Sequence, residues 1–248
     1  MGRIGLTIRG NDGNGMKAQQ SNRLKRPVDV FRGAGKNNPL VVAAFKAVTR
    51  ILAKTYIRLQ VEGLENVPDE GACLIITNHL SGLDPFVIGI PIDRTVYCLA
   101  KVELYQNAVL TWILNSLGYI PLDRSSTDIA AMRIVLRLLR NGEAIGISPE
   151  GTRSETGEMQ PFGEGATKLA LHARVPILPV AVYGTRELMP PGTYGFKPGK
   201  AYIKIGELFE LSDAYGKPMT PELLAENTAI LYGKVAELFE QIRYRPLK

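Results

Sequence analysis

Among 248 residues there are only two cysteines, two histidines and one tryptophan, and each scarcity narrows the field. Cys73 and Cys98 both stand in strand-like apolar runs. They read as reduced core residues, offering neither a disulfide framework nor zinc-ligand spacing, so no metal site is expected. No charge-free apolar run reaches 18 residues, so no membrane-spanning helix is expected. The first residues lack a continuous apolar stretch of signal-peptide type. A Gly-x-x-x-x-Gly-Lys loop and a Gly-x-Gly-x-x-Gly turn after a strand are both missing, which leaves nucleotide binding without support. The Gly-x-Ser-x-Gly elbow is missing too, which argues against an α/β-hydrolase.

What is present is ordinary for a globular chain: 45% apolar and 22% charged residues, with length for one large α/β domain. The net charge of +6 is concentrated at one end. Residues 1–36 hold eight Lys/Arg and two Asp, whereas the remaining 212 residues carry 22 of each sign. This arm is rich in Gly and Asn, lacks periodicity and is expected to be disordered. Such a charge could attract a polyanion, either nucleic acid or an anionic membrane, or the arm is a solvated extension without a binding role; no nucleic-acid partner is expected.

From Pro39 to about Leu59 the pattern predicts a helix. Lys46, Arg50, Lys54 and Arg58 recur every fourth residue, beside an apolar stripe of Val41, Phe45, Val48, Leu52 and Tyr56. Two readings stay open: a helix lying in a membrane interface, or a helix packed on the domain with a solvated face. Beyond it, strands are predicted at 56–61, 73–77, 94–100, 144–148, 176–183 and 202–205. Helices are predicted at 101–116, 128–140, 165–174 and 220–243, with Asn141-Gly142 as a stop signal and Thr220-Pro221-Glu222 as a start. This alternation, with no internal repeat or linker, predicts a single α/β domain. Its central sheet is expected to be mostly parallel or mixed and flanked by helices. The expected division is a basic arm at 1–36, an amphipathic N-terminal helix at 37–60 and the main domain at 61–248.

The chemistry is expected at Asn78-His79-Leu80-Ser81-Gly82-Leu83-Asp84-Pro85. This stretch follows the apolar run Cys73–Thr77, so His79 sits where a strand ends and a helix begins. Asp84 before Pro85 reads as an N-cap. On one continuous helix a five-residue spacing would put the two side chains about 140° apart, so a turn must bring them together. With that turn, Asp84 fixes the tautomer of a general base. Without it, the pair is a helix cap beside a structural histidine. Two later segments also stand at strand or loop ends. Gly118–Arg124 ends in an arginine, and Pro149-Glu150-Gly151-Thr152-Arg153 is a tight turn. Arginine forks and glycine-flanked amides are what a phosphate needs, and Arg124, Gly151, Thr152 and Arg153 supply those types. His172 is read as structural.

These segments, followed by Val175-Pro176-Ile177-Leu178-Pro179, occur in the order of the four-block pattern of the glycerolipid acyltransferases. The chain resembles in particular the 1-acyl-sn-glycerol-3-phosphate (lysophosphatidate) acyltransferases, with their His-x-x-x-x-Asp motif. The resemblance implies that His79 is the general base and that Asp84 orients it. It implies Arg124, Glu150, Gly151 and Arg153 at the acceptor phosphate, with Lys101 nearby. It further implies direct attack of the acceptor hydroxyl on an acyl thioester, with acyl-CoA or acyl-carrier protein as co-substrate and no cofactor. Amides near Gly151 are a natural oxyanion site. By the same resemblance the N-terminal helix docks on the cytoplasmic face of a membrane carrying anionic lipid. The alternatives are transfer to glycerol 3-phosphate or another lysophospholipid, and a lipid-binding protein without activity. Ser148, where a large apolar residue is usual, and Gly163, where a lysine is common after the phenylalanine, depart from the pattern.

Overall fold

Every residue of strand β2, Cys73–Thr77, is buried, and the sheet is built outward from it. Four apolar residues in a row, closed by Thr77, suit a strand covered on both faces, as a parallel sheet requires. In a computed structural model of the chain, which describes residues 31, 33–123, 128–190, 192, 193, 195 and 197–247, β2 pairs in parallel with β5 (Ala144–Ile147) and β6 (Ile177–Tyr183). β3 (Val96–Lys101) and β4 (Tyr119–Leu122) continue the parallel set beyond β5. On the other side β7 (Tyr202–Ile205) runs antiparallel to β6 and pairs in parallel with β1 (Gln60–Glu62). The seven-stranded order is β1-β7-β6-β2-β5-β3-β4, a mixed sheet.

The period of two divides β2 between two cores. Leu74 and Ile76 face a cluster built with Val135 and Leu139 of α4 (Ile129–Arg140), Leu169 of α5 (Gly165–Ala173) and Leu231 and Val235 of α7 (Pro221–Glu240). Cys73 and Ile75 face the opposite cluster, with Val87 and Ile88 of α2 (Asp84–Gly89). Asp128 and Thr220 cap α4 and α7 through the amides of Ala131 and Leu223. Neither cysteine is bonded to the other, and burial pushes both thiols up to about 12.

Helix α1 (Pro39–Thr55) opens on Asn38, whose side chain accepts the Leu40 and Val41 amides. It stops four residues before the periodicity suggested, because Tyr56 caps it and Arg58 turns the chain at φ 49°. Its cationic stripe serves the fold rather than forming one solvated face. Lys46 Nζ donates to the carbonyls of Ile92, Asp93 and Arg94 at 2.6, 3.1 and 2.8 Å. Arg50 donates to Ile90 O and pairs with Asp93. These carbonyls lie at and just beyond the end of α2, where backbone oxygens lack helical partners and attract cations.

The single helix expected at 101–116 is divided. A 3₁₀ turn, Val102–Gln106, contains a non-helical Tyr105, and Asn107 then caps α3 (Ala108–Ser116) by accepting the Val109 and Leu110 amides. A short α6 (Thr185–Leu188) follows β6. Residues 1–30 and Arg32 of the basic arm lie outside the described residues. Among the described residues no helix is long and apolar enough to cross a membrane.

Lys46→Met is expected to cost about 1–3 kcal/mol, because it strands carbonyls that a charged donor serves. Lys54→Met, on the exposed side, should stay within about 0.5 kcal/mol of the parent. Urea unfolding of the two variants checks the contrast; equal stabilities would mean that Lys46 does not hold α1 to the domain.

Candidate active site

Parallel pairing carries the dispersed motifs to one edge. Ile76 of β2 is in register with Ile147 of β5, so His79 and Glu150 each lie three residues beyond a paired position. There the loops are laced together: the His79 amide donates to Glu150 Oε1 (3.1 Å), and the Ser154 amide donates to His79 O (2.8 Å). On the other flank the fully buried Asn78 side chain extends the ladder to β6. Its Nδ2 donates to Val182 O (2.9 Å) and its Oδ1 accepts the Val182 amide (2.8 Å). A side-chain amide thus takes over the pairing just where β2 leaves the sheet, and the next residue is free to turn.

The turn closes on Asp84, 1% exposed. Its Oδ2 lies 2.8 Å from His79 Nδ1 and accepts the amides of Leu80 (2.7 Å) and Ser81 (2.8 Å). Its Oδ1 accepts the Thr185 hydroxyl at 2.5 Å. The expected role as N-cap is therefore corrected: Leu83 occupies that position, and the carboxylate turns back to the preceding loop. The carboxylate only accepts here, so the proton between the two side chains belongs on Nδ1. The other imidazole nitrogen, Nε2, is then left with a lone pair.

Thr185 is a partner that the motif pattern did not contain. Gly184 delivers it: φ is 87°, and a Cβ there would lie 2.5 Å from Lys200 O, so only glycine makes this turn. Ser81, two residues after the histidine, is committed to the fold, since Oγ donates to Met189 O and accepts the Leu83 amide.

A cavity of about 520 Å³ opens against His79. Its walls are Thr77 and Ile75 of β2, Val96, Cys98 and Leu99 of β3, Gly146 and Ile147 of β5, and Pro85 and Ile88 of α2. Leu122, Asp123, Ser148, Gly151 and Thr152 complete it near the carboxyl edge of the sheet. The interior is mostly apolar, with the imidazole among its few polar groups. Ser148, a departure from the expected pattern, is thus a lining residue.

The other expected site residues are met unevenly. Lys101 is the exposed last residue of β3, at the same carboxyl edge. Arg153 is exposed, and its guanidinium stands 3.7 Å from where a Cβ on Gly82 would lie, so it borders the histidine loop. Arg124 lies outside the described residues, directly after Asp123. Two of these residues have partners within the fold. The Gly151 amide donates to Ser148 O (3.2 Å), holding the turn at φ 74°. Glu150 faces inward, where Oε2 accepts Gln160 Nε2 (3.1 Å) and Oε1 the His79 amide, so it braces the histidine loop. Gln160 also donates to Thr152 O (3.2 Å), tying the turn down from outside. The amide of Gly163, the second departure, donates to Pro149 O (2.9 Å). His172 is exposed in the last turn of α5. Among the described residues no group of three His, Cys, Asp or Glu side chains is placed to hold a metal ion.

A model of the family described as Acyltransferase matches residues 58–183, which contain the histidine loop, the Pro149–Arg153 turn and β6. The chain belongs to this acyltransferase family. It is 31% identical to the 1-acyl-sn-glycerol-3-phosphate acyltransferase of Bacillus subtilis, over 73% of this chain and 87% of that protein. The chloroplastic acyltransferase BAT2 of Brassica napus, of the same name, is 29% identical over 56% of this chain. The matched stretch covers 41% of that longer relative. Among solved structures, the 1-acyl-sn-glycerophosphate (LPA) acyltransferase PlsC from Thermotoga maritima superposes with a TM-score of 0.65 at 28% identity. That match covers 82% of this chain and 81% of PlsC.

Two outcomes check the bracing of the site. Thr185→Val removes a buried donor to a carboxylate and should cost about 1.5–3 kcal/mol in urea unfolding, with Thr185→Ser recovering most of it. Burial raises the Glu150 carboxyl from 4.5 to about 7, against the opposing pull of the Gln160 and His79 donors. The folded state therefore holds a proton there that the unfolded chain releases, so this contribution is present below pH 4.5 and lost as pH rises through 7. In Glu150→Gln the fall in stability between pH 5 and pH 8 should be smaller than in the parent; an unchanged slope would remove Glu150 as its source.

Proposed function

We propose that this protein is a 1-acyl-sn-glycerol-3-phosphate acyltransferase, moving an acyl chain from a thioester to the sn-2 hydroxyl of lysophosphatidate. The observation that carries this reading is the Asp84-oriented imidazole at the wall of a mostly apolar cavity, beside a turn that ends in Arg153. The names of the Bacillus, Brassica and Thermotoga relatives support the choice of acceptor.

In this mechanism His79 Nε2 takes the acceptor's hydroxyl proton as the oxygen attacks the thioester carbonyl. Asp84 steadies the imidazolium, and collapse of the tetrahedral species expels a thiolate that recovers the proton. The atoms balance without an acyl-enzyme or a cofactor. Arg124, Arg153 and Lys101 provide positive charge for the acceptor phosphate, with Thr152 at the mouth. Glu150 acts one step back, by positioning the histidine loop. The apolar cavity suits the donor's acyl chain, and the donor is a thioester of coenzyme A or of acyl-carrier protein. Because the acceptor is an amphiphile, the protein is read as working from the cytoplasmic surface of a membrane with α1 against anionic lipid. Lys54 is an exposed cation of its stripe; Lys46 and Arg50, and Arg58 beyond the helix end, are engaged by the domain.

The deciding assay is thiol release from acyl-CoA and acyl-carrier protein, with lysophosphatidate, glycerol 3-phosphate and lysophosphatidylcholine offered in parallel. Release with lysophosphatidate, reduced about 10²- to 10⁴-fold in a folded His79→Ala variant, is the expected result. Undiminished turnover by His79→Ala would reject the base. No release from either donor with any acceptor would favour a lipid-binding protein that keeps the fold.

A further inference from the structure

We propose that the arginine face of α4 docks an acidic carrier protein, which brings the acyl thioester to the cavity. This deepens the acyltransferase reading and rests on it for the partner's cargo.

Four residues of α4 share one outer face. Ile129, Arg133, Arg137 and Arg140 fall within about 80° of one another on a 3.6-residue helix. Ile129 is 60% exposed, and all three arginines are exposed. The helix reads Ile-Ala-Ala-Met-Arg-Ile-Val-Leu-Arg-Leu-Leu-Arg and contains no acidic residue. Arginines three and four residues apart repel each other along a helix, so this spacing does not serve the helix itself. Arg137 and Arg140 suit the negative end of the helix dipole, but Arg133, a turn earlier, has no such role. Elsewhere on the chain, cations find carboxylates: Lys168 pairs with Glu164, Arg243 with Glu158 and Glu240, and Lys204 with Glu62. Among the described residues, no hydrogen bond or ion pair engages Arg133, Arg137 or Arg140. Three aligned guanidinium forks are left for carboxylates from outside.

The stripe starts at the mouth of the cavity. Asp128, the N-cap of α4, accepts the Ala131 amide with Oδ1 (3.1 Å) and the Asp123 amide with Oδ2 (3.0 Å). Asp123 and Leu122 beside it line the cavity. Arg140 stands about 17 Å further along the helix than Ile129, at 1.5 Å per residue. A small thioester has no use for so long a stripe, whereas an acidic protein surface does. A partner helix with carboxylates at i, i+4 and i+7 matches the intervals of the arginines. Seated there, the partner holds its thioester arm beside the opening, with Ile129 as an apolar contact at that end. The chain leaves its basic arm along the same helix. Phe31 packs on the cluster to which α4 contributes, and a Cβ on Gly35 would lie 2.7 Å from Ile134. The arm's excess of Lys and Arg is thus tethered beside the stripe and adds charge of the same sign. This face is separate from α1. Helix α4 packs with α5 and α7 on one side of the sheet, whereas Phe45 seats α1 on Phe86 of α2, on the other.

The test compares acyl-carrier protein and acyl-CoA as donors, for the full chain and for the triple variant Arg133→Gln, Arg137→Gln, Arg140→Gln. With the carrier, KM is expected to rise about tenfold or more while kcat holds. With acyl-CoA both constants should match the parent, and urea unfolding should show an intact fold. Added salt should raise the parent's KM for the carrier and leave the variant's nearly unchanged. An unchanged carrier KM, an equal loss with both donors, or release from acyl-CoA alone would overturn the proposal. Binding of fluorescently labelled carrier protein, read by anisotropy, needs no turnover. Equal binding by parent and variant would overturn it, as would no binding by the parent. So would a variant that binds the carrier normally but no longer sediments with phosphatidylglycerol vesicles, since the stripe would then meet a membrane. Absence of thiol release from either donor would reject the acyltransferase reading, and the anisotropy contrast would still decide the surface.

Discussion

A carboxylate almost wholly removed from water must be surrounded by donors, and at Asp84 those donors come from both its own loop and another part of the chain. The imidazole of His79 and the amides of Leu80 and Ser81 lie within five residues, whereas the Thr185 hydroxyl lies about a hundred residues away. An unpaired charge buried at that depth would cost far more than any one of these bonds contributes. The loop is therefore shaped by the demand of one side chain. Its backbone curls to bring two N–H groups to one oxygen, and the imidazole is held between the carboxylate and the cavity. The end of β6 is committed as well, through the glycine that aims Thr185.

The sheet makes this arrangement affordable to the backbone. Parallel strands end on the same side, so loops following β2, β5, β3 and β4 converge without any contact between their motifs in sequence. Asn78 satisfies the last ladder positions beside β6, and Glu150 and Ser154 satisfy the backbone of His79 from the β5 side. Each polar group that departure from the sheet would strand has thus found a partner. The outcome is a fixed imidazole beside apolar walls.

Charge is divided in a way that composition does not reveal. The four cations of the predicted stripe divide: Lys46 and Arg50 of α1, and Arg58 beyond its end, donate to carbonyls of the domain, and Lys54 remains outside. Arg58 lies beyond the end of α1, so a periodicity of four residues holds only the first three along one drifting line of a helix. It does not say whether the line meets protein, water or lipid, because that depends on what packs beside it. The same holds for Glu150, whose neighbours in the chain suggest a phosphate but whose carboxylate is turned inward.

Local chemistry was enough to determine several features from the sequence. Continuous apolar runs marked β2 and β6, and Thr220-Pro221 marked the start of α7. Asn141-Gly142 marked the end of α4, since such residues relieve the strain of leaving a helix. The spacing of His79 and Asp84, with the three later segments in order, was also enough to name the family. Contacts between residues far apart in the chain had to come from the tertiary structure. The division at Tyr105 and Asn107, the short β4 strand after Gly118, the employment of Lys46, and the Thr185 and Gln160 braces all belong to this class. Propensity and periodicity record what a segment prefers by itself, whereas a buried polar group is satisfied by whichever donor the folded chain brings within about 3 Å.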